Sequence, residues 1–129
     1  METQRASSKT ILLIDDEDYI LQIVEACIDN FSDWRPVIAT SGDKGLAAAA
    51  QAKPDAILLD MMMPNMDGFT FLKNLKADPQ LADIPVVLIT ARVDLLEPQK
   101  LTKLGVKGAI AKPFSAIKIV PEITKILGW

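Results

Sequence analysis

Polar residues of complementary kinds stand at the ends of four apolar runs in this 129-residue chain. Asp15 and Asp16 follow TILLI (Thr10 to Ile14), Asp60 ends AILLD (Ala56 to Asp60), Thr90 ends IPVVLIT (Ile84 to Thr90), and Lys112 follows GAIA (Gly108 to Ala111). Three carboxylates brought together repel one another unless a cation is present, and hard oxygen donors of this kind suit magnesium, which keeps several waters. A metal and a lysine can neutralise phosphoryl oxygens while the Asp60 carboxylate attacks phosphorus in line; the Thr90 hydroxyl would then donate to the product phosphate. Taken singly, each residue has a plainer reading. The acid pair can be a loop or helix cap, Asp60 a turn residue, Thr90 a strand terminus and Lys112 a solvated side chain. Their convergence from four segments is what favours the chemistry.

That convergence requires the apolar runs to be neighbouring strands. TILLI and AILLD are short, uninterrupted and closed by turn residues, as strands buried on both faces are. Between the strands lie helical patterns. Ile20, Val24, Cys27, Ile28 and Phe31 recur on one helix face, with Asp18 as the expected N-cap. Trp34 to Ala39 reads as a second strand, and Pro36 places it at a sheet edge. Ser41 can cap an alanine-rich helix that runs to about Ala52. A third helix follows Gly68 and stops at Asp78 and Pro79, and a fourth begins at Pro98 and closes at Gly105. Pro121 places the start of the main final helix near itself, after a looser turn begun by Ser115.

Five strands alternating with five helices predict an α/β domain with a doubly wound parallel sheet. Right-handed crossovers let strands one and three lie side by side at a switch point, the edge at which ligands bind in such sheets. Residues 1–9 read as a flexible N-terminal segment, and residues 10–129 as one domain.

Composition narrows the function further. The chain has no histidine, which removes His-based acid/base catalysis and any role as a phosphohistidine carrier. Its single cysteine, Cys27, rules out an intrachain disulfide and reads as core. No apolar run approaches the ~18 residues needed to span a bilayer, so a cytoplasmic protein without membrane contact is expected. A net charge of −3 without a basic block argues against direct nucleic-acid binding.

Four segments carry a specific likeness: IDDED (Ile14 to Asp18), LLDMMMPNMDG (Leu58 to Gly68), LITA (Leu88 to Ala91) and AKPF (Ala111 to Phe114). Together, in this order and spacing, they resemble the receiver domain of two-component response regulators. The resemblance implies a flavodoxin-like sheet of order 2-1-3-4-5. It implies Asp60 as phosphoacceptor and Mg2+ held by Asp15, Asp16, Asp60 and the backbone carbonyl of Met62. Thr90, Ala91 and Lys112 would belong to the phosphoryl site, and the Lys112–Pro113 peptide would be cis. A stand-alone regulator is expected, phosphorylated by a histidine kinase or a His-phosphotransfer protein. It would also take phosphate from small donors, dephosphorylate itself and signal to a downstream protein target. The surface of the fourth helix, fifth strand and fifth helix would serve that contact or a homodimer.

Ala109 departs from the pattern, because receivers carry a switching aromatic residue three positions before the lysine. The usual aromatic rotamer switch is therefore not expected, and Thr90 and its following loop must carry the change. Met62 and Arg92, two positions beyond Asp60 and Thr90, are expected to tune phosphate lifetime through water access. The methionines Met61, Met62, Met63 and Met66 read as packing or loop cover, since thioethers suit soft metals. A flavodoxin-like FMN carrier is disfavoured by the acidic first loop, and a dehalogenase-type phosphatase by Met62 where a second acid is needed. The remaining alternative is a receiver-fold interaction module with no functional phosphorylation.

Overall fold

A computed structural model describes residues 8–129. The strands are β1 (Thr10–Ile14), β2 (Arg35–Ala39), β3 (Ala56–Asp60), β4 (Val86–Thr90) and β5 (Gly108–Ala111). They form one parallel sheet of order β2-β1-β3-β4-β5, as expected. Helices α1 (Asp18–Phe31), α2 (Gly42–Ala52), α3 (Gly68–Ala77), α4 (Pro98–Leu104) and α5 (Ile119–Leu127) fill the crossovers. Of the expected N-terminal segment, residues 1–7 lie outside the described residues.

Alternate side chains of each strand feed two cores, because successive Cβ atoms point to opposite faces. Leu12, Ile14, Ile57, Leu59 and Leu88 face α2, α3 and α4, where Phe71 and Leu75 are fully buried. Ile11, Leu13, Leu58, Val87 and Ile89 face α1 and α5, where Cys27, Ile28 and Ile123 are buried. Burial on both faces explains why β3 and β4 read as continuous apolar runs. Pro36 lies in β2, an edge strand.

Several boundaries differ from the sequence reading. Glu17, not Asp18, is the N-cap of α1, and its side chain makes no capping bond; Asp18 is the first helical residue, where an acid still suits the dipole. The stripe of α1 turns on Leu21, Val24, Cys27 and Ile28, while Phe31 at the helix end is 56% exposed. Strand β4 starts at Val86 because the Ile84 N–H is taken by a turn to the Leu81 carbonyl at 3.1 Å and Pro85 has no N–H to give. Helix α5 starts at Ile119, which puts Pro121 in the first turn, where its missing N–H costs no helical bond. A 3-10 turn over Val93–Leu96, not foreseen, precedes α4. At the opposite end of the sheet, Trp129 packs edge-on against Trp34, ring centres 5.0 Å apart.

Candidate functional site

All five strands are parallel, so their carboxyl ends share one edge, and the loops after β1, β3, β4 and β5 meet there. The buried polar or charged residues among the described residues are Asp15, Asp60 and Thr90, all at this edge. Buried acids are costly unless paired, and their gathering at one place marks the site. Asp15, Asp16 and Asp60 each present a carboxylate oxygen within 4.8 Å of the others.

Lys112, just past β5, provides the positive charge. Its Nζ stands 3.0 Å from Asp15 Oδ2, 3.4 Å from Glu17 Oε1 and 3.5 Å from Asp60 Oδ1. Backbone donors add to it: the Met62 N–H donates to Asp60 Oδ1 at 3.2 Å and the Glu17 N–H to Asp15 Oδ1 at 2.9 Å. Thr90 Oγ1 accepts from the Arg92 N–H at 3.0 Å, which ties the hydroxyl to the loop after β4. The Lys112–Pro113 peptide is cis, as expected.

These surroundings act unequally on the titrating groups. Burial, followed by the Asp15 charge, pushes the Asp60 carboxyl from 3.8 up to about 7, against the Met62 N–H and Lys112, which favour the anion. Burial works against the Lys112 ammonium too, but the Asp15 hydrogen bond and the Asp60 charge outweigh it and hold the group above its ordinary value. One lysine thus leaves the acids under-neutralised. A small divalent cation among three hard oxygen donors fits this deficit, whereas Met61 and Met63 are buried in the core and Met62 points outward, 57% exposed.

The expected site residues therefore meet at one edge: Asp15, Asp16, Asp60 and Lys112 in direct array, with Thr90 ending the strand between Asp60 and Lys112. Ala91 follows Thr90 and, with Lys112, Pro113 and Phe114, lines an open cavity of ≈ 440 Å³ whose far wall is Tyr19 and Ile23 of α1. Met62 contributes its N–H to Asp60. Glu17 was read only as part of an acidic loop. The signal for it was present in IDDED, where a further acid immediately follows the pair and has one lysine to share.

The loop after β3 is held by close packing. The Gly68 N–H donates to the Met61 carbonyl at 3.0 Å, and a Cβ on Gly68 would meet Met61 Cα at 2.7 Å. Asp67 then caps α3 by accepting from the Thr70 N–H at 2.9 Å.

Comparison with known proteins agrees with this geometry. A family model described as the response regulator receiver domain matches residues 11–124. The DNA-binding dual master transcriptional regulator RpaA of Synechocystis is 33% identical over 117 residues, covering 91% of this chain and 48% of that protein. The N-terminal domain of a response regulator receiver protein from Methanoculleus marisnigri is 34% identical with a TM-score of 0.76, covering 95% of this chain and 99% of that one. The chemotaxis response regulator CheY4 of Vibrio cholerae is 26% identical with a TM-score of 0.83, covering 93% and 99%. The chain spans about half the length of curated relatives such as RpaA, and about a quarter of the response regulator PleD of Caulobacter vibrioides. No helix among the described residues is long and apolar enough to cross a membrane.

Proposed function

Since the chain belongs to the response regulator receiver domain family, we propose that Asp60 accepts a phosphoryl group from a histidine kinase or a His-phosphotransfer protein, with Mg2+ bound beside it. The observation that carries this reading is the burial of Asp60 at a strand end against Asp15, Asp16 and Lys112. An acid there is poorly neutralised and faced by a lysine. Asp15, Asp16, Asp60 and the Met62 carbonyl would hold the metal, which supplies positive charge to the phosphoryl oxygens when bound.

An Asp60 carboxylate oxygen attacks phosphorus as the donor bond opposite it breaks. The electron pair of that bond leaves with the imidazole of a phosphohistidine or the acetate of acetyl phosphate. Asp60 must be ionised to attack, and the Met62 N–H and Lys112 are the groups that favour its anion. Lys112 and the Thr90 hydroxyl contact phosphoryl oxygens, and Ala91 leaves room beside them. The modification replaces one negative charge with nearly two. Thr90 then turns toward the phosphate and releases the Arg92 N–H, which passes the change to the loop before α4. The face of α4, β5 and α5 contacts the downstream protein or a second copy. The small Ala109 leaves this route without an aromatic switch.

Intact-mass measurement tests the reading. With Mg2+ and acetyl phosphate or a cognate kinase, the protein should gain one base-labile phosphate, and Asp60→Asn should gain none. No adduct with either donor would refute the proposal and favour a receiver-fold interaction module that works without phosphorylation.

A further inference from the structure

We infer that Glu17 is a positioning residue that restrains Lys112 in the resting state and slows its transfer to the incoming phosphoryl group; the inference rests on Asp60 being the phosphoacceptor. A lysine ammonium has three N–H donors. Here three carboxylates surround it, with Asp15 at 3.0 Å, Glu17 at 3.4 Å and Asp60 at 3.5 Å. Two of its donors are engaged, by Asp15 at 3.0 Å and by Glu17 at 3.4 Å, and drawing Lys112 onto an incoming phosphoryl oxygen strains both bonds.

Asp15 and Asp60 are the metal-side acid and the nucleophile, whereas Glu17 has neither role. A cation that claims Asp15 leaves Glu17 as the remaining partner of Lys112 besides the nucleophile itself. Glu17 is also held in place. Its Oε2 accepts from the Tyr19 hydroxyl at 3.0 Å, which leaves Oε1 turned to Lys112. Both side chains line the same cavity as Lys112. Phosphoryl capture therefore breaks a half-exposed ion pair, the Glu17 side chain being 42% exposed.

The test compares wild type, Glu17→Gln and Glu17→Asp for the rate of Asp60 phosphorylation by acetyl phosphate with saturating Mg2+, across donor concentrations. Glu17 makes no capping bond in α1, so its replacement leaves the helix start intact. Glu17→Gln should raise the rate at saturating donor about two- to five-fold, the worth of a partly exposed ion pair, with the gain fading at high salt. Glu17→Asp keeps the charge but is too short to span Lys112 and Tyr19, and should also be faster than wild type. A Glu17→Gln rate equal to or below wild type would overturn the inference, as would a Glu17→Asp rate equal to wild type. Absence of phosphate on wild type would instead remove the Asp60 reading on which it rests.

Discussion

Asp60 Oδ1 and Lys112 Nζ stand 3.5 Å apart although their strands are not neighbours: β4 lies between β3 and β5, so the pair closes over the end of β4, where Thr90 sits. The carboxylate, the hydroxyl and the ammonium thus come from the ends of three successive strands of the sheet. Parallel pairing fixes this arrangement, with Asp60 opposite Ile89 and Thr90 opposite Ala111. A register slip of one residue would turn Asp60 or Thr90 to the other face.

Lys112→Met should expose what that pair holds. It removes the ammonium from two buried acids, Asp15 and Asp60, while keeping a similar length of apolar side chain. Breaking a buried pair from one side is strongly destabilising, and the partial exposure of Lys112 reduces the effect to about 1–3 kcal/mol. Urea unfolding in EDTA should show that loss, and added Mg2+ should restore part of it. Phosphorylation of Asp60 should fall sharply even where the variant is folded.

Asp60→Asn should stabilise the metal-free protein, and the gain should depend on pH. Asp60 has a folded pKa of about 7 against 3.8 for an ordinary carboxyl. As pH rises through this window the unfolded chain releases its proton first, so the folded state loses stability relative to it. Each pKa unit is worth about 1.4 kcal/mol, which makes the penalty above pH 7 on the order of 4 kcal/mol. Denaturant titrations in EDTA should therefore show little advantage for Asp60→Asn near pH 4 and a full advantage at pH 8. An advantage independent of pH would contradict the assignment.

Much of this site was legible before folding because its residues end strands, and strand ends are marked by the change from apolar to polar. Asp60 and Thr90 close the runs AILLD and VVLIT, and the cis Lys112–Pro113 peptide follows the last strand as the resemblance implied. Boundaries were harder to read where two local rules compete. Pro85 sits in an apolar run and removes a donor, so β4 is shorter than its hydrophobicity suggests, while Pro121 fits the first turn of α5 and lets that helix start earlier. The contacts of Glu17 were not legible at all. They depend on Lys112, 95 residues away, and no periodicity reports a pairing over that distance.

Magnesium should stabilise the wild type, and the effect should vanish when the acid set is broken. A ligand at one hundred times its dissociation constant adds about 2.7 kcal/mol. Thermal unfolding at pH 8 should shift upward with millimolar Mg2+ for wild type and far less for Asp16→Asn or Asp60→Asn. At pH 5 the shift should shrink in wild type too, since Asp60 is then largely protonated in the metal-free fold and proton and cation compete for it. An equal shift in all three proteins would place the metal elsewhere.

Gly68→Ala tests whether the loop after Asp60 must be this tight. The added methyl would lie 2.7 Å from Met61 Cα, a backbone atom that cannot swing aside as a side-chain tip can. Either the loop lifts from β3 or α3 shifts, and overpacking of this kind costs about 1–3 kcal/mol. The lift would also lengthen the Gly68 N–H to Met61 carbonyl bond and move Met62, whose N–H holds Asp60 Oδ1. Gly68→Ala should therefore lose stability and phosphorylate more slowly than wild type under conditions where it remains folded. Gly105→Ala provides the contrast: it introduces strain at a helix end with φ 72° but lies far along the chain from the acceptor loop, so it should lower stability while leaving the phosphorylation rate of the folded protein near wild type. Equal slowing by both substitutions would mean that general destabilisation, not the placement of Met62, sets the rate.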